Sequence, residues 1–428
     1  MTRAATRCAL STMIFMVACS KGHSAADAGM TPDAAPSDSS ASTDTATPAD
    51  SGPGFDGGVP AWTWEAGPVL PMMRRRVSRQ IRVAENGTVL FAFGALAGPS
   101  KKIDFLLNAT SSWQPYDVAE NGLSFMSVSA VPDGRFLATG FVAVGDDFNA
   151  PARGNTFATT TGDSYIVDSV TETAQIVPPM LTSRGMHRAV TLMDGRVLAC
   201  GGWHGEGVPA TDGPTTSCER YDLPMGHWIA TASMGTGRYA HTLTLLADGK
   251  VLAAGGHDVD GHAIRSAEVY DPVADAWHAV GDLAHARAWA EAQRLPSGEV
   301  LVMGGETEET YGAGESLSSA ELFDPMSETF HAAPDLPWRG SDFASLTLPS
   351  GRVVISGGRD RGPNHNVANV AMYDESVGTW QMWPAMSEPR AEHSMVQLRD
   401  GRLMVISGYT DPLLNEDGTS EITTEAVP

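Results

Sequence analysis

Seven times in 428 residues the chain writes a turn glycine followed by a short apolar run, and four of those copies end in a pair of glycines. The strings are NGTVLFAFG (86–94), DGRFLATGF (133–141), DGRVLACGG (194–202), DGKVLAAGG (248–256), SGEVLVMGG (297–305), SGRVVISGG (350–358) and DGRLMVISG (400–408). Their leading glycines stand at 87, 134, 195, 249, 298, 351 and 401, a spacing of 47 to 61 residues. A period near fifty restricts the chain to a solenoid, an array or a closed ring, because a unit of that size buries its apolar face only against its neighbours.

Inside each unit the pattern is that of short strands. AHTLTLL (240–246) is β-rich and partly alternating, and the Asp-Gly that follows supplies the positive φ of a tight hairpin. After the apolar second strand come a third, AEVYD (267–271), and a fourth, AWHAV (276–280). Tyr221, Tyr270 and Tyr373 precede Trp228, Trp277 and Trp380 by seven residues, and Phe323 and Phe330 keep that spacing. Each unit therefore reads as four short antiparallel strands.

This constellation resembles the kelch repeat: four strands, a double glycine after the second, and a Tyr and a Trp at fixed offsets. The resemblance covers residues 61–428 and is weaker in the first two units, where Trp113 is displaced by one residue and Ala174 occupies the Trp position. It implies an all-β, seven-bladed β-propeller with four-stranded antiparallel blades, related to the galactose oxidase-like propellers. The chain ends suggest how the ring closes. The last unit stops after three strands at SEITTEAVP (420–428), while AWTWEAGPVLPMMR (61–74) places Trp64, Leu70 and Arg74 at the offsets of Trp277, Leu283 and Arg287. A fourth strand from residues 61–72 would complete the C-terminal blade. The runner-up is six blades, with 123–183 as an insertion.

Internal comparison sorts repeated residues from variable ones. Arg74, Arg184, Arg238, Arg287 and Arg390 fall ten residues after the Trp position, and His187, His241 and His393 follow their Arg by three. Such repetition points to ties between blades through backbone carbonyls; an arginine-lined rim for an acidic ligand is the alternative. The variable segments between second and third strands are 203–216, 257–265, 306–318 and 359–367. They share one face with the blade-to-blade connections, and loops on a rigid scaffold commonly carry binding residues. The candidate ligand-binding residues are Trp203, His204, His257, Asp258, Tyr311, Arg359, Arg361, His365 and Tyr409.

Sharper chemistries find less support in the residues. His257, Asp258, Asp260 and His262 form a metal-like mixture, but without the ligand set of a calcium loop or the cysteines of a zinc site, so no metal is assigned. The copper-radical oxidases among kelch-type propellers use Tyr and His ligands that include an adjacent Tyr-His, and this chain has no such dipeptide. Sugar isomerases share the scaffold, yet no acid–base pair stands out. No catalytic residue and no cofactor is assigned. The reading is a non-enzymatic binding propeller for a protein or glycan; a carbohydrate-active enzyme or a structural surface protein is the alternative.

The N-terminus reads as an export signal. Arg3 and Arg7 precede the apolar run CALSTMIFMVA (8–18), which ends in MVAC and resembles the lipobox of bacterial lipoproteins, with Met16 where Leu is usual. Residues 1–18 would be the signal peptide and Cys19 the lipidated residue, with ordinary secretion as the alternative. Within 21–60, 35 of 40 residues are Ala, Ser, Thr, Asp, Pro or Gly, so 19–60 reads as a disordered tether. The expected location is the cell envelope, on the outer membrane or periplasmic face, of a monomer that meets the membrane only through its anchor. The net charge of −23 excludes nucleic acid as a natural partner. Export also bears on Cys200 and Cys218, which take the register positions of Ala254 and Ala267 on adjacent strands. In an oxidising compartment they are expected to pair; two buried free thiols are the alternative.

Overall fold

The computed structural model describes residues 62–68, the strands 82–83, 89–91, 102–106 and 114–117, and residues 127–427 apart from 143–159, 169, 172, 206–211, 308–314, 361–364, 412–414 and 417–419. Within them lie seven four-stranded antiparallel sheets. Six are described with side chains: the blades spanning 127–177, 188–231, 242–279, 291–333 and 344–383, and one made of 394–397, 403–406, 420–423 and 64–66. The strands between 82 and 117, described as backbone, form the other. The first strands, at 82–83, 127–130, 188–191, 242–245, 291–294, 344–347 and 394–397, each neighbour the next, and the last neighbours the first. The sheets therefore stand as blades around an axis.

The junction between chain ends is a strand pairing. Trp64 lies opposite Thr423, Glu65 opposite Ile422 and Ala66 opposite Glu421. Trp64 Nε1 donates to the Pro384 carbonyl of the preceding blade at 2.9 Å. Trp277 does the same to Ala232 and Trp380 to Pro334, while Trp228 donates to the Ser164 hydroxyl. The fourth-strand tryptophan is thus an apolar body with a donor that reaches the neighbouring blade. It packs across its own sheet on the third-strand aromatic, with ring centroids 5.1 Å apart for Tyr270 and Trp277.

The apolar core lies between blades. Leu252, Ala254 and Val269 of one blade pack with Val300, Val302 and Phe323 of the next. The double glycine is required where second strands leave the sheet. Gly255 and Gly256 have φ of 65° and 102°, and a Cβ would stand 2.3 Å from the Arg287 carbonyl at the first and 2.8 Å from that of Tyr239 at the second. Positive φ and backbone contact together exclude side chains there.

The repeated arginines tie adjacent blades. The Gly202 N–H donates to the Arg238 carbonyl, while the Arg238 guanidinium donates to the Gly255 and Ser266 carbonyls of its own blade, both at 2.8 Å, and to Glu268 at 2.8 Å. Arg184–Glu219, Arg287–Glu321 and Arg390–Glu421 repeat the pair at 2.7 Å. All four arginines are buried to within 1 % of complete. They are occupied inside the blades, so they do not form a rim for an acidic ligand.

Candidate functional site: the channel mouth

The face where first strands begin is built by two positions of the repeat. One is the second residue after the arginine position: Met186, Ala240, Trp289, Asp342 and Glu392. All five have φ between 52° and 59°, a left-handed conformation that non-glycine residues seldom adopt. They join around the axis, since Ala240 N–H donates to Met186 O, Trp289 N–H to Ala240 O and Glu392 N–H to Asp342 O, the last at 2.8 Å. The other position follows the double glycine. Trp203, His257, Glu306 and Arg359 there form bridges to Gly185, Tyr239, Ala288 and Ser341, one residue after each arginine position.

These rings place an apolar sector beside a charged one. Trp203 meets Tyr239 edge to face at 5.4 Å, Tyr239 meets His257 at 5.2 Å, and Met186, Ala240 and Trp289 pack with them. On the other side Arg359 pairs with Glu392 at 3.1 Å, and Ser341 donates to Asp342 at 3.2 Å. Glu306 is fully buried at its bridge to Ala288. Asp342 and Glu392 sit on backbone joined between two blades, and the Arg359 carbonyl accepts the Ser316 hydroxyl of the preceding blade, which fixes these side chains more firmly than a free loop would.

The sequence-derived candidates divide accordingly. Trp203 and His257 are not exposed loop residues: both are buried, because the step after the double glycine pairs with the segment that leads into the first strand of its own blade. Arg359 is at the mouth, half-buried. His204 stands one residue further out, with Nδ1 2.9 Å from the Ser183 carbonyl. Asp258 Oδ1 accepts the N–H groups of Asp260 and His262, so it shapes its own turn. For His365 and Tyr409 the backbone is described, in the short hairpins 359–360/365–366 and 409–411/415–416, while Tyr311, Arg361 and Cys19 lie outside the described residues. Met186, Tyr239, Trp289, Glu306, Asp342 and Glu392 escaped the sequence reading. Their signal was present: they vary at fixed positions of an otherwise repeating frame.

Cys200 and Cys218 face each other across the second and third strands of the 188–231 blade and are joined as a disulfide, with Cα atoms 4.3 Å apart. The bond closes the strand pair at the base of the hairpin in which Trp203 and His204 pair with Pro214 and Gly213.

The four-stranded sheets around one axis define the class as a β-propeller, and the matches that follow support kelch-type repeats in it. Residues 184–235 and 239–284 match the Kelch motif. The chain is similar to beta-scruin of Limulus polyphemus, 25% identical over 54% of this chain and 25% of that protein. It is also similar to Kelch-like protein 35 of Mus musculus, 26% identical over 40% and 36% of the two chains, and to an F-box/kelch-repeat protein of Arabidopsis thaliana, 29% identical over 58% and 61%. The chain thus spans between a quarter and about three-fifths of these relatives' lengths. Among solved structures it is similar in fold to a fungal alcohol oxidase of the AA5 family in complex with copper, with a TM-score of 0.65 at 15% identity, over 85% of this chain and 76% of the other.

Among the described side chains, a tyrosine and a histidine that meet at the mouth are Tyr239 and His257. Their rings are tilted against each other with centroids 5.2 Å apart, and both residues are fully buried. Among the described residues, the His, Cys, Asp and Glu side chains that gather three within 4.8 Å are Asp258, Asp260 and His262, on the turn outside the mouth. Nothing further connects that turn to a metal.

Proposed function

We propose that this chain is a non-enzymatic binding propeller that holds a protein or glycan ligand on the channel-mouth face and is displayed at a bacterial envelope through a lipid on Cys19. The observation that carries the binding reading is the division of labour in the repeat. Conserved-in-repeat arginines and glutamates are consumed by blade junctions, whereas the positions that vary from blade to blade collect on one face beside the longest connections. The kelch relatives support a binding scaffold, and the mixed aromatic and charged surface suits a ligand with both apolar and polar groups.

The test is a glycan-array and envelope-protein crosslinking screen with the purified protein, repeated for two variants. Arg359→Ala, at the mouth, should weaken any captured ligand about tenfold, while Met326→Ser, on the opposite face, should leave it unchanged. Loss with Met326→Ser and retention with Arg359→Ala would move the site to the other face. Copper-dependent alcohol oxidation by the purified protein would instead support the enzyme alternative. For attachment, Cys19→Ala should release the protein from membranes or leave an unprocessed precursor, and a processed, membrane-retained variant would refute lipidation.

A further inference from the structure

The histidine three residues after the arginine position has a fixed task. His187 Nε2 lies 2.9 Å from the Thr139 hydroxyl, and His393 Nε2 lies 2.7 Å from the Ser356 hydroxyl, each in the second strand of the preceding blade. In both cases the histidine Cε1 occupies the space where a Cβ on the next glycine, Gly140 or Gly357, would stand. His241 sits identically against Gly201, with its Cε1 2.8 Å from the virtual Cβ. The residue before Gly201 is Cys200. Its sulfur is committed to Cys218, and neither ring nitrogen of His241, itself 1 % exposed, has a hydrogen-bond partner.

The five described junctions show a covariation within one chain. A hydroxyl residue on the second strand is followed by histidine in the next blade, in the pairs Thr139–His187 and Ser356–His393. An apolar residue is followed by an apolar one, in the pairs Ala254–Ala290 and Met303–Phe343. Cys200 is followed by His241, so this junction keeps the histidine while a sulfur stands in the place of the hydroxyl. A disulfide sulfur cannot donate; a thiol can.

We propose that Cys200–Cys218 is a reversible redox site whose dithiol form is stabilised by a hydrogen bond from the Cys200 thiol to His241 Nε2. In the exchange, a dithiol reductant attacks the bond: the Cys200–Cys218 S–S bond breaks, two electrons and two protons pass from the reductant, and its own sulfurs join as a disulfide. The Cys200 S–H then faces neutral His241, with the ring proton on Nδ1, and the buried imidazole gains the partner that its counterparts have. Reduction also unlocks the second and third strands at the base of the 203–214 hairpin, so the redox state is coupled to the part of the mouth that carries Trp203. The inference does not depend on which ligand that face binds.

The experiment equilibrates the full chain with graded ratios of reduced to oxidised dithiothreitol, quenches with acid, alkylates, and counts the Cys200 and Cys218 thiols by mass spectrometry. His241→Phe, which installs the residue found at position 343, should need a ratio about three- to tenfold higher for half-reduction, the range of one neutral hydrogen bond. His187→Phe, the same change at another junction, should match the parent protein. Coincident curves for His241→Phe and the parent would overturn the proposal. Should His241→Phe fail to fold, histidine-selective ¹⁵N spectra of the parent decide: the His241 Nε2 resonance must move on reduction, and an unmoved resonance refutes the bond.

Discussion

Removing both partners of a blade-junction ion pair should cost clearly less than the sum of removing each one alone. Arg238 and Glu268 are buried, and their bonds extend beyond the pair: Glu268 accepts the N–H groups of Gly235 and Thr236 at 2.6 and 3.0 Å, while Arg238 holds two carbonyls. Arg238→Met leaves a desolvated carboxylate without its cation, and Glu268→Ala leaves a buried guanidinium without its anion; each should cost about 3–5 kcal/mol. The double variant loses both charges at once, so its cost should fall short of the sum by about 2 kcal/mol or more. The protein already contains such a junction. At the 344–383 blade the arginine position is Gly340 and the glutamate position Ala371, and Trp338 Nε1 donates to the Gly357 carbonyl at 3.1 Å in place of the guanidinium. Urea denaturation of the four proteins of this cycle, followed by tryptophan fluorescence, measures the coupling. Additivity within about 0.5 kcal/mol would refute the claim that the pair stands or falls as a unit.

Trp338→Phe keeps an aromatic body but removes the donor to Gly357, and denaturation should show a loss of about 1 kcal/mol; no loss would mean the indole acts by packing alone. Trp62 is buried against Trp64 and Trp383 beside the joint of the chain ends, so Trp62→Ala should cost about 3–5 kcal/mol, read by the same assay, and a change below 1 would show that the joint does not rely on it. Burial first, and then Arg184 and Arg188, push the His187 pKa down to about 3, so protonation favours the unfolded chain. Its contribution is complete above the unfolded value near 6.5 and is lost as pH falls toward 3; His187→Phe should flatten the stability profile in that window by about 1.4 kcal/mol per pH unit. An unchanged slope would show that His187 titrates normally.

The strand order of each blade, the glycine steps and the register of Cys200 opposite Cys218 were legible in the sequence, because they are properties of one unit repeated at a fixed offset. Hairpin pairing and the left-handed turns are local, so internal alignment of Tyr270 with Tyr221, or of Cys200 with Ala254, carries them directly. The repeated arginines were equally readable as ties, although their glutamate partners, 30 to 35 residues away, were not. The tertiary structure alone decided which variable residues meet. Tyr239 lies between Trp203 and His257, Arg359 reaches Glu392, and Trp338 replaces an arginine, through contacts within and between blades that no periodicity announces. Those choices depend on how side chains from successive units share the narrow space at the axis. A repeat pattern states what each unit has in common, whereas the mouth is assembled from the positions at which the units differ.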